Sequence, residues 1–273
     1  MDKLIITIAP TGNVPTREMT PHVPVTPEEI ARDIHDCYNA GAAVAHIHAR
    51  DEEYRPTPRV EVFASILQQI DGYGIPVIRQ LSTGGRHGKT LEERSQNLTL
   101  NPEMASLTTG STNFPNMAYV NAPDLIEHLA QIMKERSIKP EIEVFDTAMI
   151  NNAYLLAQRG LFREPLQFNF VMGIKGALPA TPKNLMHLVE SIPAGCPWTV
   201  TVIGPQHVPL STMALAMGGH VRVGIEDNIY YAKGELATNV RLVERIAAIA
   251  KAVGREIATP VEARAILGLK PAG

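Results

Sequence analysis

The chain has 273 residues, of which 45% are hydrophobic and 19% charged, and its formal net charge is −3. That length suits one α/β barrel of roughly 250 residues and allows a large buried core without covalent staples. The near-neutral balance argues against a broad polyanion-binding surface and a nucleic-acid partner, while leaving room for a local basic pocket for a phosphorylated ligand.

The first predicted element is a strand over residues 4–8. This apolar run is too short for a signal-peptide core, and no stretch approaches the ~20 apolar residues of a membrane span. A cytoplasmic protein with no membrane partner is expected. Cys37 and Cys196 form no CxxC pair and read as reduced thiols. A helix follows over 27–39, with Thr26 as N-cap, Pro27 in the first position and Glu29 completing a capping box. Further strands are predicted over 44–49, 76–81, 104–108, 141–145, 167–172, 198–202 and 221–224. The helices between and after them are predicted over 60–70, 91–97, 123–135 and 150–158, from Thr181-Pro182 onward, near 210–217, and over 239–253. Strand–helix units in this order point to a parallel sheet, and eight of them are the number that closes a (β/α)8 TIM barrel. The rival is a doubly wound open sheet, but residues 9–13 lack the GxGxxG spacing after the first strand. No Pro/Gly/Ser-rich linker divides the chain, so 1–273 is read as a single domain.

His46-Ile47-His48 is the sharpest chemical feature. Residues two apart on a strand share a face, and both imidazoles fall late in the second strand, where barrel active sites lie. Imidazoles so placed can share one metal ion, although two hydrogen-bonded core histidines would read alike. A second cluster runs from His220 to Asn228. If the strand persists, His220, Arg222, Gly224 and Glu226 share one face. A last strand beside the first would bring Glu226 to His46 and His48. Two His and one carboxylate make an open, catalytic metal pattern; the plainer alternative is a solvated Glu226-Asp227 loop pair. Ser82-Thr83-Gly84-Gly85 offers a hydroxyl and backbone N–H groups at the barrel mouth. Glu141 and Glu143 share a face, and carboxylates inside a barrel need partners. The stretch from Gly173 to Ala177 suits either a phosphate or thioester contact or an ordinary loop.

With these residues in view, the chain resembles the β-keto acid cleavage enzymes. The likeness is carried by residues 4–11, Val25-Thr26-Pro27-Glu28-Glu29-Ile30, Ala45-His46-Ile47-His48-Ala49-Arg50, residues 102–107, 110–114 and 219–228. It implies a zinc-dependent TIM barrel that takes acetyl-CoA as cosubstrate and assembles as a homotetramer. It implies Zn2+ ligands at His46, His48 and Glu226, and catalytic roles for Ser82, Arg222 and Asp227. A further family hydroxyl matches Ser106, with Thr108 a weaker match. Asn13, Val14, Thr108 and Glu143 are the expected substrate-binding residues. One departure stands out. Family members that take an amino-keto acid carry a glutamate shortly after the first-strand Thr-Gly, where this chain has Thr11-Gly12-Asn13-Val14.

The expected activity is therefore metal-assisted Claisen and retro-Claisen chemistry: a β-keto acid and acetyl-CoA give acetoacetate and a new acyl-CoA. Three other classes remain for comparison. An amidohydrolase would carry HxH on the first strand and further histidines on the fifth and sixth. A divalent-metal acyl-CoA lyase would carry HxH late in the barrel. A non-catalytic binding protein would have no use for an open metal position beside Arg222 and Asp227.

Overall fold

The structure, a computed structural model, describes residues 2–86 and 90–270. In chain order, β1 (Ile6–Ile8), α1 (Pro27–Asn39), β2 (Val44–Ile47), α2 (Val60–Gly72), β3 (Ile78–Leu81), α3 (Leu91–Ser95) and β4 (Met104–Thr108) come first. After these come β5 (Thr112–Phe114), β6 (Met117–Tyr119), α4 (Pro123–Glu135), β7 (Lys139–Val144), α5 (Thr147–Gln158), β8 (Gln167–Met172) and α6 (Pro182–Ser191). The chain continues through β9 (Trp198–Val202), α7 (His207–Ala216), β10 (His220–Val223), β11 (Tyr230–Ala232), β12 (Glu235–Leu236), α8 (Asn239–Ala252) and α9 (Pro260–Leu267). β1, β2, β3, β4, β7, β8, β9 and β10 form a closed parallel barrel in that order, with β10 hydrogen-bonded to β1. The fold is the expected (β/α)8 barrel.

Local chemistry explains the boundaries. Thr26 accepts from the Glu29 N–H, and Glu29 reaches back to the Thr26 N–H, as its sequence position predicts. The helix expected over 91–97 is shorter, because α3 tightens into a 3₁₀ turn over Gln96–Leu100. Two antiparallel hairpins, β5–β6 and β11–β12, add to the expected elements, as does α9. The last was signalled by Thr259-Pro260 followed by Glu262, a capping box that the structure forms. Across the base of the barrel, α9 buries Ala263 and Leu267 against Ile5, Val44 and Met104, while Arg264 holds the Glu103 carboxylate through two nitrogens.

The strands alternate sharply. Ile6, Ile47, Leu81, Leu107, Ile142, Phe168, Val200 and Val221 face the helices and form the apolar core. The inward set includes His46, Gln80, Ser106, Glu141, Gln167, Asn169, Thr201 and Arg222, all buried. Above a base layer of Ile5, Val44, Ile78 and Met104, the barrel interior is thus a hydrogen-bonded polar column rather than the stack of branched apolar side chains common in such barrels. Glu141 accepts from Gln167 and Asn169, each at 3.0 Å, and Thr201 donates to Asn169 at 2.8 Å. Burial raises the Glu141 carboxyl above its usual range, with the Arg222 charge opposing that rise. Among the described residues, no helix is long and apolar enough to cross a membrane.

Candidate active site

At the C-terminal mouth of the barrel the structure brings both sequence clusters together. His46 lies on β2 and His48 just beyond it, and Glu226 lies in the loop after β10. β1 alone separates the two strands, which closes the sequence gap between them. The expected face-sharing along residues 220–226 holds only through β10. The strand ends at Val223, and Gly224 turns the chain so close to β1 that a Cβ there would lie 1.9 Å from the Ala9 carbonyl oxygen. Glu226 reaches the site through this turn and through its N–H bond to the Ala9 carbonyl at 3.2 Å.

His46 Nδ1 meets Gln80 Oε1 at 2.6 Å, so Nδ1 carries the proton and Nε2 is left with a lone pair. Burial drives the His46 pKa down to about 3, which keeps the ring neutral. Its Nε2 lies 3.2 Å from His48 Nε2 and 3.8 Å from Glu226 Oε1, while His48 Nε2 lies 3.3 Å from the same oxygen. Ligand atoms around one tetrahedral zinc lie roughly 3.3 Å apart, given bonds near 2.0–2.1 Å. One ligand atom from each of the three residues falls within 4.8 Å of the others. The second Glu226 oxygen is buried without a hydrogen-bond partner. Converging acceptors and an unpaired carboxylate oxygen fit a divalent cation.

Arg222 stands beside this cluster. It is 5% exposed and faces three carboxylates. Its Nε and Nη2 each donate to Asp227 at 3.0 Å, and Nη2 also donates to Glu226 at 2.6 Å. Nη1 lies 3.8 Å from Glu143 and has no hydrogen-bond partner. Burial opposes the Arg222 charge, but Asp227 and Glu226 outweigh it and hold the guanidinium protonated. Burial raises Asp227 to about 6 while Arg222 pulls the other way, so the carboxylate is ionised at neutral pH.

These groups open onto a cavity of about 400 Å³. Of the residues expected from sequence, Asn13, Val14, His46, His48, Ser82, Glu143, Arg222, Glu226 and Asp227 line it. Thr108 sits behind the wall, donating to Glu143 at 2.8 Å. Ser106 is deeper still, 1% exposed, and its hydroxyl accepts from the Thr83 N–H at 3.3 Å. Ile174 joins the wall, but Lys175 beside it is exposed and does not. Tyr119 was not expected. Its ring stacks on Phe114 at 4.8 Å, and its hydroxyl lies 3.3 Å from Thr108 Oγ1. Thr108 gives its proton to Glu143, so Tyr119 donates to Thr108. Gln80 was likewise missed, although a polar residue in register with His46 on the neighbouring strand was the available signal.

The loop after β1 is clamped against Glu226. Asn239 accepts from the Ile225 N–H at 2.7 Å and donates to the Pro10 carbonyl at 3.0 Å. Arg50 donates to the carbonyls of Thr11 and Pro15 at 3.3 and 2.8 Å. Gly12, at φ +59°, packs so closely that a Cβ there would lie 2.4 Å from Glu226 Cγ.

A closed (β/α)8 barrel with two imidazoles, a carboxylate and a buried arginine–aspartate pair at the C-terminal mouth defines the class, a TIM-barrel enzyme. Within that class the chain belongs to the beta-keto acid cleavage enzyme family, whose profile matches residues 3–269. It is 45% identical to the 3-keto-5-aminohexanoate cleavage enzyme of Acetoanaerobium sticklandii, over 98% of this chain and 99% of that protein. It is 40% identical to the 3-oxoadipate:acetyl-CoA acetyltransferase of Cupriavidus necator, over 97% and 94%. The solved apo structure of ObcA shares the fold, with a TM-score of 0.78 at 22% identity; the match covers 91% of this chain and 66% of that one.

The Gly12 contact yields a direct expectation. Gly12→Ala should displace the Glu226 carboxylate and lower affinity for added Zn2+ by about 10- to 100-fold, as loss of support around a ligand commonly does. Competition against a chromophoric chelator measures this, and unchanged affinity in a folded variant would contradict the packing argument.

Proposed function

We propose that this chain is a zinc-dependent β-keto acid cleavage enzyme, acting on the β-keto acid together with acetyl-CoA. The products are acetoacetate and the acyl-CoA of the substrate's remaining carbon skeleton. The observation that carries this reading is the convergence of His46, His48 and Glu226 beside Arg222, with two buried polar atoms lacking hydrogen-bond partners, Glu226 Oε2 and Arg222 Nη1. One is an acceptor for a cation and the other a donor for an anionic oxygen. The names of the relatives, which pair cleavage of a keto acid with acetyl-CoA transfer, support the same chemistry.

His46, His48 and Glu226 would hold Zn2+, which when bound supplies Lewis acidity toward the keto and carboxylate oxygens. The remaining work falls to the chain's own groups. Arg222 Nη1 is placed to donate to the substrate carboxylate and to the oxygen that gains charge as C2 loses its proton. Asp227 lines the cavity as a carboxylate oriented by two Arg222 nitrogens and serves as the base for that proton. Ser82 Oγ, which accepts from the Gly84 N–H at 3.1 Å, keeps its own proton free to orient the substrate. Attack of C2 on the acetyl carbon with release of CoA thiolate, attack of that thiolate on the substrate's keto carbon, cleavage of the C2–C3 bond and return of the proton from Asp227 to C2 then account for every atom of both products. Ser106 and Thr108 act from behind the wall, by holding the loop after β3 and the Glu143 carboxylate. A cytoplasmic homotetramer is the assembly that goes with this reading.

Val14, Met19, Phe145, Ile225 and Ile229 line the cavity beside the Asn13 and Asn116 amides and the Arg86 guanidinium, and among the described residues its carboxylates are Glu143, Glu226 and Asp227, all facing Arg222. Glu18 and Asp51 do not line it; Asp51 is turned to Arg55 at 3.0 Å. An ammonium group in a desolvated pocket needs a compensating acceptor. The preferred substrate therefore has an uncharged tail, unlike the amino-keto acid named for the Acetoanaerobium relative.

Two measurements test this. Incubation with acetyl-CoA and a panel of β-keto acids should release acetoacetate, and Asp227→Asn should keep the fold while losing turnover by ~10²-fold or more. Near-normal turnover in that variant would remove Asp227 as the base and turn attention to Glu143. In kcat/KM, 3-ketohexanoate should exceed 3-keto-5-aminohexanoate by about tenfold to a hundredfold, the worth of one charge-assisted contact, and Val14→Glu should narrow or reverse that ratio. A wild-type preference for the amino substrate would refute the apolar-tail reading.

A further inference from the structure

At the opposite, N-terminal end of the barrel lies a second built cavity of about 310 Å³, between the α4–β7 and α5–β8 connections. Lys134, Ser137, Lys139 and Arg163 line it, with an apolar wall from Leu161 and Phe162, and no carboxylate takes part. Lys139, the first residue of β7, is 4% exposed. Its ammonium group donates to the backbone carbonyls of Arg163, at 3.1 Å, and Pro165. Among the described residues, none of the three cations forms an ion pair with a carboxylate. The acid nearest in influence is Glu164, whose Oε2 is engaged with the Leu166 N–H at 3.1 Å.

This arrangement is electrostatically incomplete. A buried ammonium with only carbonyl dipoles around it retains much of its desolvation cost. Here a guanidinium is added close by: burial and then the Arg163 charge press the Lys139 pKa down to about 8. A third cation, on α4, borders the same space. Like charges around a common cavity are relieved by one kind of occupant, an anion. Three basic side chains and the Ser137 hydroxyl border this space, with Arg163 Nη2 also donating to the Gly268 carbonyl at 2.6 Å, and so much positive charge suits a doubly charged phosphate better than a singly charged carboxylate. The adjoining apolar wall and the volume leave room for an organic group.

We propose that this cavity is a binding site for a small phosphate monoester, remote from the reacting groups at the barrel mouth. It is independent of the activity proposed above.

Calorimetric titration of the whole protein with phenyl phosphate tests this, with inorganic phosphate, benzoate and sodium chloride at matched ionic strength alongside. Saturable binding of phenyl phosphate is expected, with benzoate clearly weaker and chloride without effect. Lys134→Met changes an exposed position on α4 and should weaken phenyl phosphate by about tenfold, the loss of one charge-assisted contact. Lys139→Met should abolish binding, and His46→Ala should leave it intact. The proposal is overturned if the heat tracks ionic strength alone or if benzoate binds as tightly. It is equally overturned if Lys134→Met and Arg163→Met leave the affinity unchanged in folded protein, or if His46→Ala removes binding, which would place the phosphate at the barrel mouth.

Discussion

A guanidinium buried in the mouth of the barrel is the constraint around which the site is arranged. Arg222 is 5% exposed, and a charge so far from water needs counter-charge and hydrogen bonds at close range. Asp227 and Glu226 supply both, and Glu143 adds a third negative charge at 3.8 Å. That requirement draws the loop after β10 inward. Glu226 is thereby carried to within 3.3 Å of His48, although the two residues come from opposite ends of the chain. One oxygen of Glu226, Oε1, faces both the arginine and the His48 imidazole, and the other is buried without a hydrogen-bond partner.

The rest of the barrel is built to tolerate this charge. Its inward column is polar, so the arginine sits above Glu141, Gln167 and Asn169 rather than above hydrocarbon. The main apolar core lies outside the strands, between them and the helices, and a smaller apolar layer of Ile5, Val44, Ile78 and Met104 closes the base against α9. Rigidity at the mouth comes from side chains that bind backbone. Asn239 ties the Pro10 carbonyl to the Ile225 N–H, and Arg50 gathers the carbonyls of Thr11 and Pro15. The result is a short loop against which Glu226 has little freedom to move.

Much of this was legible in the sequence, and the reasons are specific. The eight strand–helix units announced themselves because the outward face of each strand is apolar and several helices carry capping residues. His46-Ile47-His48 was legible because a period of two puts both rings on one face. Glu226 does lie beside the two imidazoles, but not by strand periodicity: the strand ends at Val223, and the turn at Gly224 does the placing. The polar character of the column was hidden because inward Gln and Thr residues interrupt the strands without breaking their β-propensity. Tyr119 was invisible because its hairpin is two three-residue strands inside what reads as a loop. Gln80 and Asn239 act through partners distant in sequence, which a single chain read linearly does not reveal.

The account stands or falls on the cation expected between His46, His48 and Glu226. Elemental analysis of purified protein, with its His46→Ala and His48→Ala variants prepared in parallel, addresses it most directly. About one zinc per chain is expected in the wild type, with most of it lost in each variant, because two remaining protein ligands hold a transition metal poorly. Full zinc retention in both folded variants, or a wild-type protein that is active without any bound metal, would contradict it.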